Sequence, residues 1–401
     1  MQQNTIQAIA STYGTPTYIF DIHALSRQVK LIRDRLPQGT LLCFAMKANP
    51  FVAGRIAKMV DRLEVCSPGE YEICIREQID PEKIVVSGVN KTPESMERIL
   101  SYSHGAGIYT IESELHYRIL KQCANKIDKR LKVLLRLSSG NQFGMDEATL
   151  ERLLAVIQSD NLMDIVGIHY YAGTQKKMSR VENELQQLDS YGKHLKQSYG
   201  LGNMELEYGP GLMVSYFEDC SDTEAESFDA GTQLDTLKGL LSAMSAYNCI
   251  SIELGRFLTS DCGYYMTRIM DIKHTGKTGF IIVDGGIHQI NYYGQMMGMK
   301  KPYMDIIKMP DSTEAADGKW TVCGSLCTVN DVIVRQIELN DIGIGDILLF
   351  KRCGAYSMTE GMSLFLSREL PQVLLVDLDE KIHVMRKKIE TNQLNGRMEE
   401  I

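Results

Sequence analysis

Short apolar runs recur along the first two-thirds of the chain, and stretches of helical spacing lie between them. The runs are Leu41-Leu42-Cys43, Leu63-Glu64-Val65-Cys66, Lys83-Ile84-Val85-Val86, Ile108-Tyr109-Thr110-Ile111, residues 132–137, residues 165–171, Leu206-Glu207-Tyr208 and residues 250–254. Runs this short, rich in β-branched residues, predict buried strands rather than helices. Leu25, Val29, Ile32 and Leu36 predict a helix over 23–38, and residues 147–158 and 180–198 repeat the helical period. Eight strands alternating with helices predict a parallel α/β sheet. Eight such units suggest a closed (β/α)8 TIM-type barrel, with an open doubly wound sheet as the alternative.

After about residue 265 the pattern changes to short strands and turns. Residues 279–286, 320–323, 331–334, 346–350 and 373–376 predict a separate C-terminal β-rich domain. Residues 13–22 read as a turn and a strand. The expected division is a barrel over 23–265, a β-rich domain built from 1–22 with 266–385, and a charged tail over 386–401 that frays. Residues 310–319 are polar and read as an exposed loop.

Composition narrows the class. The 401-residue chain has a formal net charge of −8, which argues against nonspecific binding to nucleic acid. No apolar run is long enough to span a bilayer, and the N-terminus lacks a cationic and apolar leader. The ten cysteines are scattered without C-x-x-C spacing and read as reduced thiols of a cytoplasmic protein. Cys323 and Cys327 have no second ligand pair nearby, so no metal is expected.

The residues suited to chemistry fall at the predicted carboxyl ends of the barrel strands, where this architecture places active sites. Lys47 follows the first strand and stands just before the breaker Asn49-Pro50. It reads either as a lysine snorkelling out of a strand end or as a desolvated, Schiff-base-forming amine. Glu64 ends the second strand. His169, Tyr171 and Thr174 lie at the sixth. Gly209 and Gly211 follow the seventh, as a plain turn or as backbone that admits an anion. Glu253 and Arg256 end the eighth. A buried acid such as Glu253 suits a protonated pyridine nitrogen, and Arg256 suits phosphate oxygens, although it could equally form a surface ion pair.

Eight motifs occur in one order: Y-G-T-P-T-Y-I-F-D at 13–21, F-A-M-K-A-N at 44–49, G-I-H-Y-Y-A-G-T-Q at 167–175, E-Y-G-P-G-L at 207–212, E-L-G-R at 253–256, V-D-G-G at 283–286, G-S-L-C-T-V-N-D at 324–331 and G-A-Y at 354–356. Together they resemble the fold-type III pyridoxal-phosphate decarboxylases, the diaminopimelate and ornithine decarboxylase family. The resemblance covers nearly the whole chain. It implies an alanine racemase-like barrel and pyridoxal 5'-phosphate as cofactor. Lys47 would carry the Schiff base, and Glu253 would hold the pyridine nitrogen. Glu64, His169 and Tyr171 would contact the cofactor, with Tyr171 at the place of the ring-stacking histidine. Thr174, Gly209, Gly211, Arg256 and Tyr356 would hold the phosphate, and Cys327 would protonate Cα. It also implies a homodimer whose sites are shared, with Cys327 supplied by the partner.

The departures concern substrate. Thr328 stands where the family carries an acid that reads a distal ammonium, and Gln289-Ile290-Asn291-Tyr292-Tyr293 replaces a carboxylate-binding segment. A branch of the family acts on amino acids tethered to acyl-carrier proteins, and loss of the acid suits such a substrate, glutamyl-carrier for instance. Diaminopimelate decarboxylase is the alternative. Tyr292, Tyr293 and Met296, Met297 and Met299 would line an entry for the carrier arm, or else make an ordinary hydrophobic contact. A racemase lacks its tyrosine motif here. A non-catalytic regulator would not need Lys47, Glu253, Arg256, Cys327 and Tyr356 together.

Overall fold

The computed structural model describes residues 1–102, 105–219, 227–292, 298–313 and 316–396. The chain forms two compact units, one of Gln28–Val214 with Glu226–Leu258, the other of Met1–Arg27, Ser215–Ala225 and Thr259–Ile401. Strands are numbered along the chain. β1 (Thr17–Asp21) belongs to the second unit. The first unit holds β2 (Leu41–Ala45), β3 (Arg62–Val65), β4 (Ile84–Val86), β5 (Ile108–Ile111), β6 (Leu131–Arg136), β7 (Met163–Tyr171), β8 (Glu205–Gly209) and β9 (Cys249–Leu254).

These eight strands are parallel and close into a barrel, with β9 returning to β2 so that Leu41 lies opposite Ser251 and Phe44 opposite Leu254. The open-sheet alternative is thereby excluded. Most strand positions are buried, as a parallel sheet covered by helices requires. Cys43, Val85, Ile108 and Leu134 form one apolar cluster of the barrel. Side chains fix where helices begin: Ser67 caps Pro68–Arg76, Thr92 and Ser95 form a capping box on Pro93–Ser101, and Asp146 caps Glu147–Gln158.

The second unit is a nine-stranded sheet. Beside β1 it contains β10 (Gly263–Thr275), β11 (Thr278–Val283), β12 (Met304–Ile307), β13 (Ala316–Cys323), β14 (Val332–Ile342), β15 (Ile347–Phe350), β16 (Gln372–Val376) and β17 (Ile382–Arg386). The order is β14-β13-β11-β10-β1-β16-β17, with β15 joining β10 to β12. A bulge between Ile269 and Asp271 lets the long β10 pair with β1 and β15 in its first half and with β11 in its second. The helix Gln3–Tyr13 packs Ile6, Ile9 and Ala10 against Ile19, Met266, Leu349 and Leu374.

Several expectations need correction. The helix Gln3–Tyr13 lies outside the expected elements, although Ile6, Ile9, Ala10 and Tyr13 carry the helical spacing that marks it. Residues 316–319 open β13 instead of lying in a loop. The tail does not fray where expected: Thr391 is fully buried and donates to Arg368 O at 2.8 Å, and Lys388 donates to Thr15 O at 2.7 Å. The compact units also divide at Arg27 and Thr259 rather than at 22 and 265, and Ser215 joins the sheet unit, where its carbonyl accepts from the Arg352 guanidinium. Among the described residues no helix is long and apolar enough to cross a membrane.

Candidate active site

Lys47 sits in a single 3-10 turn, Met46–Ala48, immediately after β2. The turn is closed by Asn49 N–H donating to Met46 O at 3.0 Å, and the buried Asn49 side chain then caps the next turn, Pro50–Val52, by accepting from Phe51 N–H at 3.1 Å. Lys47 Nζ lies 2.9 Å from Glu64 Oε2, 3.5 Å from Glu253 Oε1 and 3.8 Å from Cys66 Sγ, and 5.5 Å from the centre of the Tyr171 ring. Glu64 and Glu253 are buried on β3 and β9, the strands that flank β2. The barrel closure itself therefore brings the two carboxylates to the amine, which is the partnering a partly buried ammonium needs.

Each carboxylate has a second partner. Glu64 Oε1 accepts from the Cys66 thiol at 3.1 Å, and Glu253 Oε2 accepts from His169 Nε2–H at 3.1 Å. Burial alone would raise the Glu253 carboxyl, but the Lys47 ammonium and the His169 hydrogen bond outweigh it and hold the group well below the usual carboxylate range. Glu207, fully buried next to His169 on β8, is in the opposite state. Burial and the charge of Glu253 push it up to about 8. Arg62 gives it little relief: the guanidinium is 3.5 Å from Glu207 Oε2 and bonds Glu205 more closely. Two neighbouring glutamates with acidities driven apart are the pattern of a site where one carboxylate works charged.

Glycines make room above this layer. A Cβ on Gly209 would stand 2.4 Å from Tyr171 Cδ2, and one on Gly211, whose φ is +58°, would stand 2.2 Å from Gly173 O. Thr174 borders the same turn, its Cα 3.0 Å from that second Cβ position. Arg256, at the start of the short helix Arg256–Thr259, is buried, and its charge acts on Tyr171. Burial raises the Tyr171 hydroxyl pKa, so the ring stays neutral beside Lys47.

The barrel unit thus gathers Lys47, Glu64, His169, Tyr171, Thr174, Gly209, Gly211, Glu253 and Arg256. Cys327 and Tyr356 belong to the sheet unit. Cys327 is an exposed, free thiol on a loop held by the buried Asp331, which accepts from Leu326 N–H at 2.7 Å and Ile287 N–H at 2.9 Å. Tyr356 has φ +63° and its carbonyl accepts from Thr359 N–H at 2.8 Å. Tyr292 does not line an entry. It is 1% exposed, donates to Lys351 O at 3.1 Å and packs on Tyr216 and Phe217. Tyr293, Met296 and Met297 lie outside the described residues, and Met299 is exposed.

Sequence reading passed over Cys66, Glu207 and Lys176. Cys66 is the first residue past β3 and two from Glu64, so alternation carried one step beyond the strand brings both to one side, a signal available from sequence. Glu207 was hidden inside an apolar run. Lys176 follows G-T-Q directly and reads as a surface lysine, yet it is 3% exposed.

The donor set suits pyridoxal phosphate. It offers an amine for an aldehyde, a carboxylate held ionised for a ring N–H, an aromatic face beside the amine, and a glycine turn with an arginine nearby for an anion. The buried His169 Nδ1 has no partner among the described residues. His169, Glu207 and Glu253 also place donor atoms within 4.8 Å of one another, but Lys47 already supplies the cation beside Glu253.

Residues 17–354 match the family model described as pyridoxal-dependent decarboxylase, C-terminal sheet domain. An L-glutamyl-(acyl-carrier protein) decarboxylase of Niallia circulans is 25% identical over 94% of this chain and 92% of its own. A diaminopimelate decarboxylase of Aquifex aeolicus is 25% identical over 88% and 84%. The crystal structure of the Helicobacter pylori diaminopimelate decarboxylase with L-lysine superposes with a TM-score of 0.80 at 20% identity, covering 97% of this chain and 98% of that one.

Proposed function

The chain belongs to the pyridoxal-dependent decarboxylases, and from that premise we propose that Lys47 is the amine that holds the cofactor. The observation that carries this reading is the Lys47 ammonium set 2.9 Å from Glu64 and 3.5 Å from Glu253 at the strand ends of the barrel. Bound pyridoxal phosphate supplies an electron sink for the pair of electrons left on Cα when carbon dioxide departs. Glu253 holds the proton on the ring nitrogen, and His169 orients Glu253. Tyr171, its ring centre 5.5 Å from Lys47 Nζ, would offer an aromatic face to the cofactor. Thr174, Gly209, Gly211 and Arg256, with Tyr356, bind the phosphate. Cys327 delivers the proton to Cα from the partner subunit of a homodimer.

For substrate we propose an amino acid whose distal end is neutral or masked, such as a glutamyl group tethered to an acyl-carrier protein. Thr328 supports this, because a hydroxyl cannot replace the carboxylate that reads a distal ammonium. Loss of such a charge pair costs on the order of 2–5 kcal/mol. The Niallia circulans relative acts on a carrier-bound glutamyl group, which agrees with the same reading. Release of carbon dioxide from free and carrier-bound amino acids tests it. Glutamyl-carrier should turn over, and free lysine, ornithine and meso-diaminopimelate should be poor substrates. Turnover of free diaminopimelate with kcat/KM of roughly 10⁴ M⁻¹s⁻¹ or more would contradict the substrate assignment.

A further inference from the structure

Lys176 is a buried ammonium that none of the roles above uses. It follows the Gly173-Thr174-Gln175 turn and meets the glycine turn after β8 at two points. Its backbone N–H donates to Gly211 O at 2.9 Å, and its Nζ donates to Gly209 O at 3.1 Å. Its Nζ also donates to Glu184 Oε2 at 2.5 Å and stands 5.1 Å from the centre of the Tyr208 ring. Glu184, on the helix Met178–Tyr199, is itself buried. It accepts from the Tyr208 hydroxyl at 2.7 Å and from Arg180 Nε at 3.0 Å, and Arg180 donates onward to Ala172 O at 2.9 Å. One carboxylate therefore anchors two cations, and those cations hold the chain just after β7 and the end of β8.

We propose that Lys176 is a positioning residue that shapes the Gly209-Pro210-Gly211 turn to take a phosphate monoester. Two effects follow from the geometry. Both glycine carbonyls are tied to Lys176. In a trans peptide the C=O and N–H point to opposite edges, so the Leu212 N–H faces away from Lys176 while the Gly211 carbonyl faces it. Carbonyl oxygens left loose at the turn would repel an anion; tying back the Gly211 carbonyl leaves the Leu212 N–H as donor edge, while at Gly209, whose carbonyl precedes Pro210 and so has no N–H opposite it, the ammonium withdraws the repelling oxygen. Second, Lys176 shares the single charge of Glu184 with Arg180, so Glu184 does not fully neutralise the buried ammonium beneath the turn. The Arg180 side chain is largely exposed and its charge is screened by solvent, whereas Lys176 is buried and its charge is screened little. Without the Lys176 side chain the backbone bond to Gly211 O would remain, but the Gly209 carbonyl would be loose and the buried charge lost.

The proposal rests on the assignment of this turn to the cofactor phosphate. It is tested with the full-length chain stripped of cofactor, titrated with pyridoxal 5'-phosphate and separately with pyridoxal, which lacks the phosphate. The wild-type chain should prefer the phosphorylated form. Lys176→Met should lose about tenfold or more in affinity for pyridoxal phosphate, the loss of one charge-assisted contact, while pyridoxal affinity stays within about twofold. Lys176→Arg should restore most of the preference. Lys176→Gln keeps a donor for the Gly209 carbonyl and serves where the methionine variant does not fold; it should show the same selective loss at about threefold or more. Equal weakening toward both compounds, or no change in either, would overturn the proposal, since a merely structural lysine would not distinguish them. A wild-type chain with no preference for the phosphorylated form would instead overturn the assignment of the turn, and the proposal with it.

Discussion

At the level of single residues the site is a problem in buried charge. Lys47, Glu64 and Glu253 tolerate burial because each faces an opposite charge, and Cys66 and His169 satisfy the remaining carboxylate oxygens. Removing the charge of Glu253 should leave the fold and disable the chemistry. Glu253→Gln is expected to retain cofactor and lose about 10²-fold or more in turnover; near-normal rates would remove Glu253 from its role. Glu207 gives a pH signature. Its carboxyl, raised to about 8 by burial and Glu253, stays protonated in the folded chain while the unfolded chain ionises above its ordinary value of 4.5. Stability is thus lost as pH rises from the unfolded value toward the folded one, then levels off. Glu207→Gln abolishes that slope. Urea denaturation of the cofactor-free chain should show the variant gaining on wild type by on the order of a few kcal/mol between pH 5 and 8. A pH-independent difference would show that Glu207 is ionised throughout. Lys47 and Glu253 were legible because a charge at the end of an apolar run is conspicuous. Lys176 was not, since only the return of β8 beside β7 reveals what its ammonium touches.

At the level of elements, strand ends and the turns after them do the positioning. Gly209 ends β8 against the Tyr171 ring at the end of β7, so each limits the other. Gly209→Ala should reduce both cofactor affinity and stability, the latter by about 1–3 kcal/mol from overpacking. Tyr171→Leu in the same chain should recover part of the stability, a coupling that a double-mutant cycle measures; strictly additive losses would show that the contact is unimportant. The barrel strands were readable from sequence because burial on both faces leaves continuous apolar runs. The sheet unit was read less well. β10 runs from buried residues at its start to exposed ones at its end and changes partners at a bulge, so no single period marks it. β17 and β12 are half-buried and short, and β13 begins with alternating exposed residues that look like a loop.

At the level of the whole molecule, motif order allowed the two-part plan to be read, while the exact seams were not, because they depend on contacts distant in sequence. Ser215, midway along the chain, joins the sheet unit through hydrogen bonds with Arg352 and Tyr303 that its neighbours do not announce. The proposal that sites are shared across a homodimer makes a direct prediction. Mixing inactive Lys47→Ala with inactive Cys327→Ala chains should restore partial activity, since one site of a heterodimer would be intact. No recovery after demonstrated subunit exchange would contradict sharing.

The central claim is that Lys47 carries the cofactor, and it can be tested covalently. The purified chain, loaded with pyridoxal phosphate, is reduced with borohydride, digested and mapped by mass spectrometry. The account predicts one pyridoxyl label, on the peptide containing Lys47, and none in Lys47→Ala. Two buried lysines, Lys91 and Lys176, stand in the same barrel unit as internal controls. A label on either of them, or on Lys47 only in trace amounts beside a label elsewhere, would contradict the account.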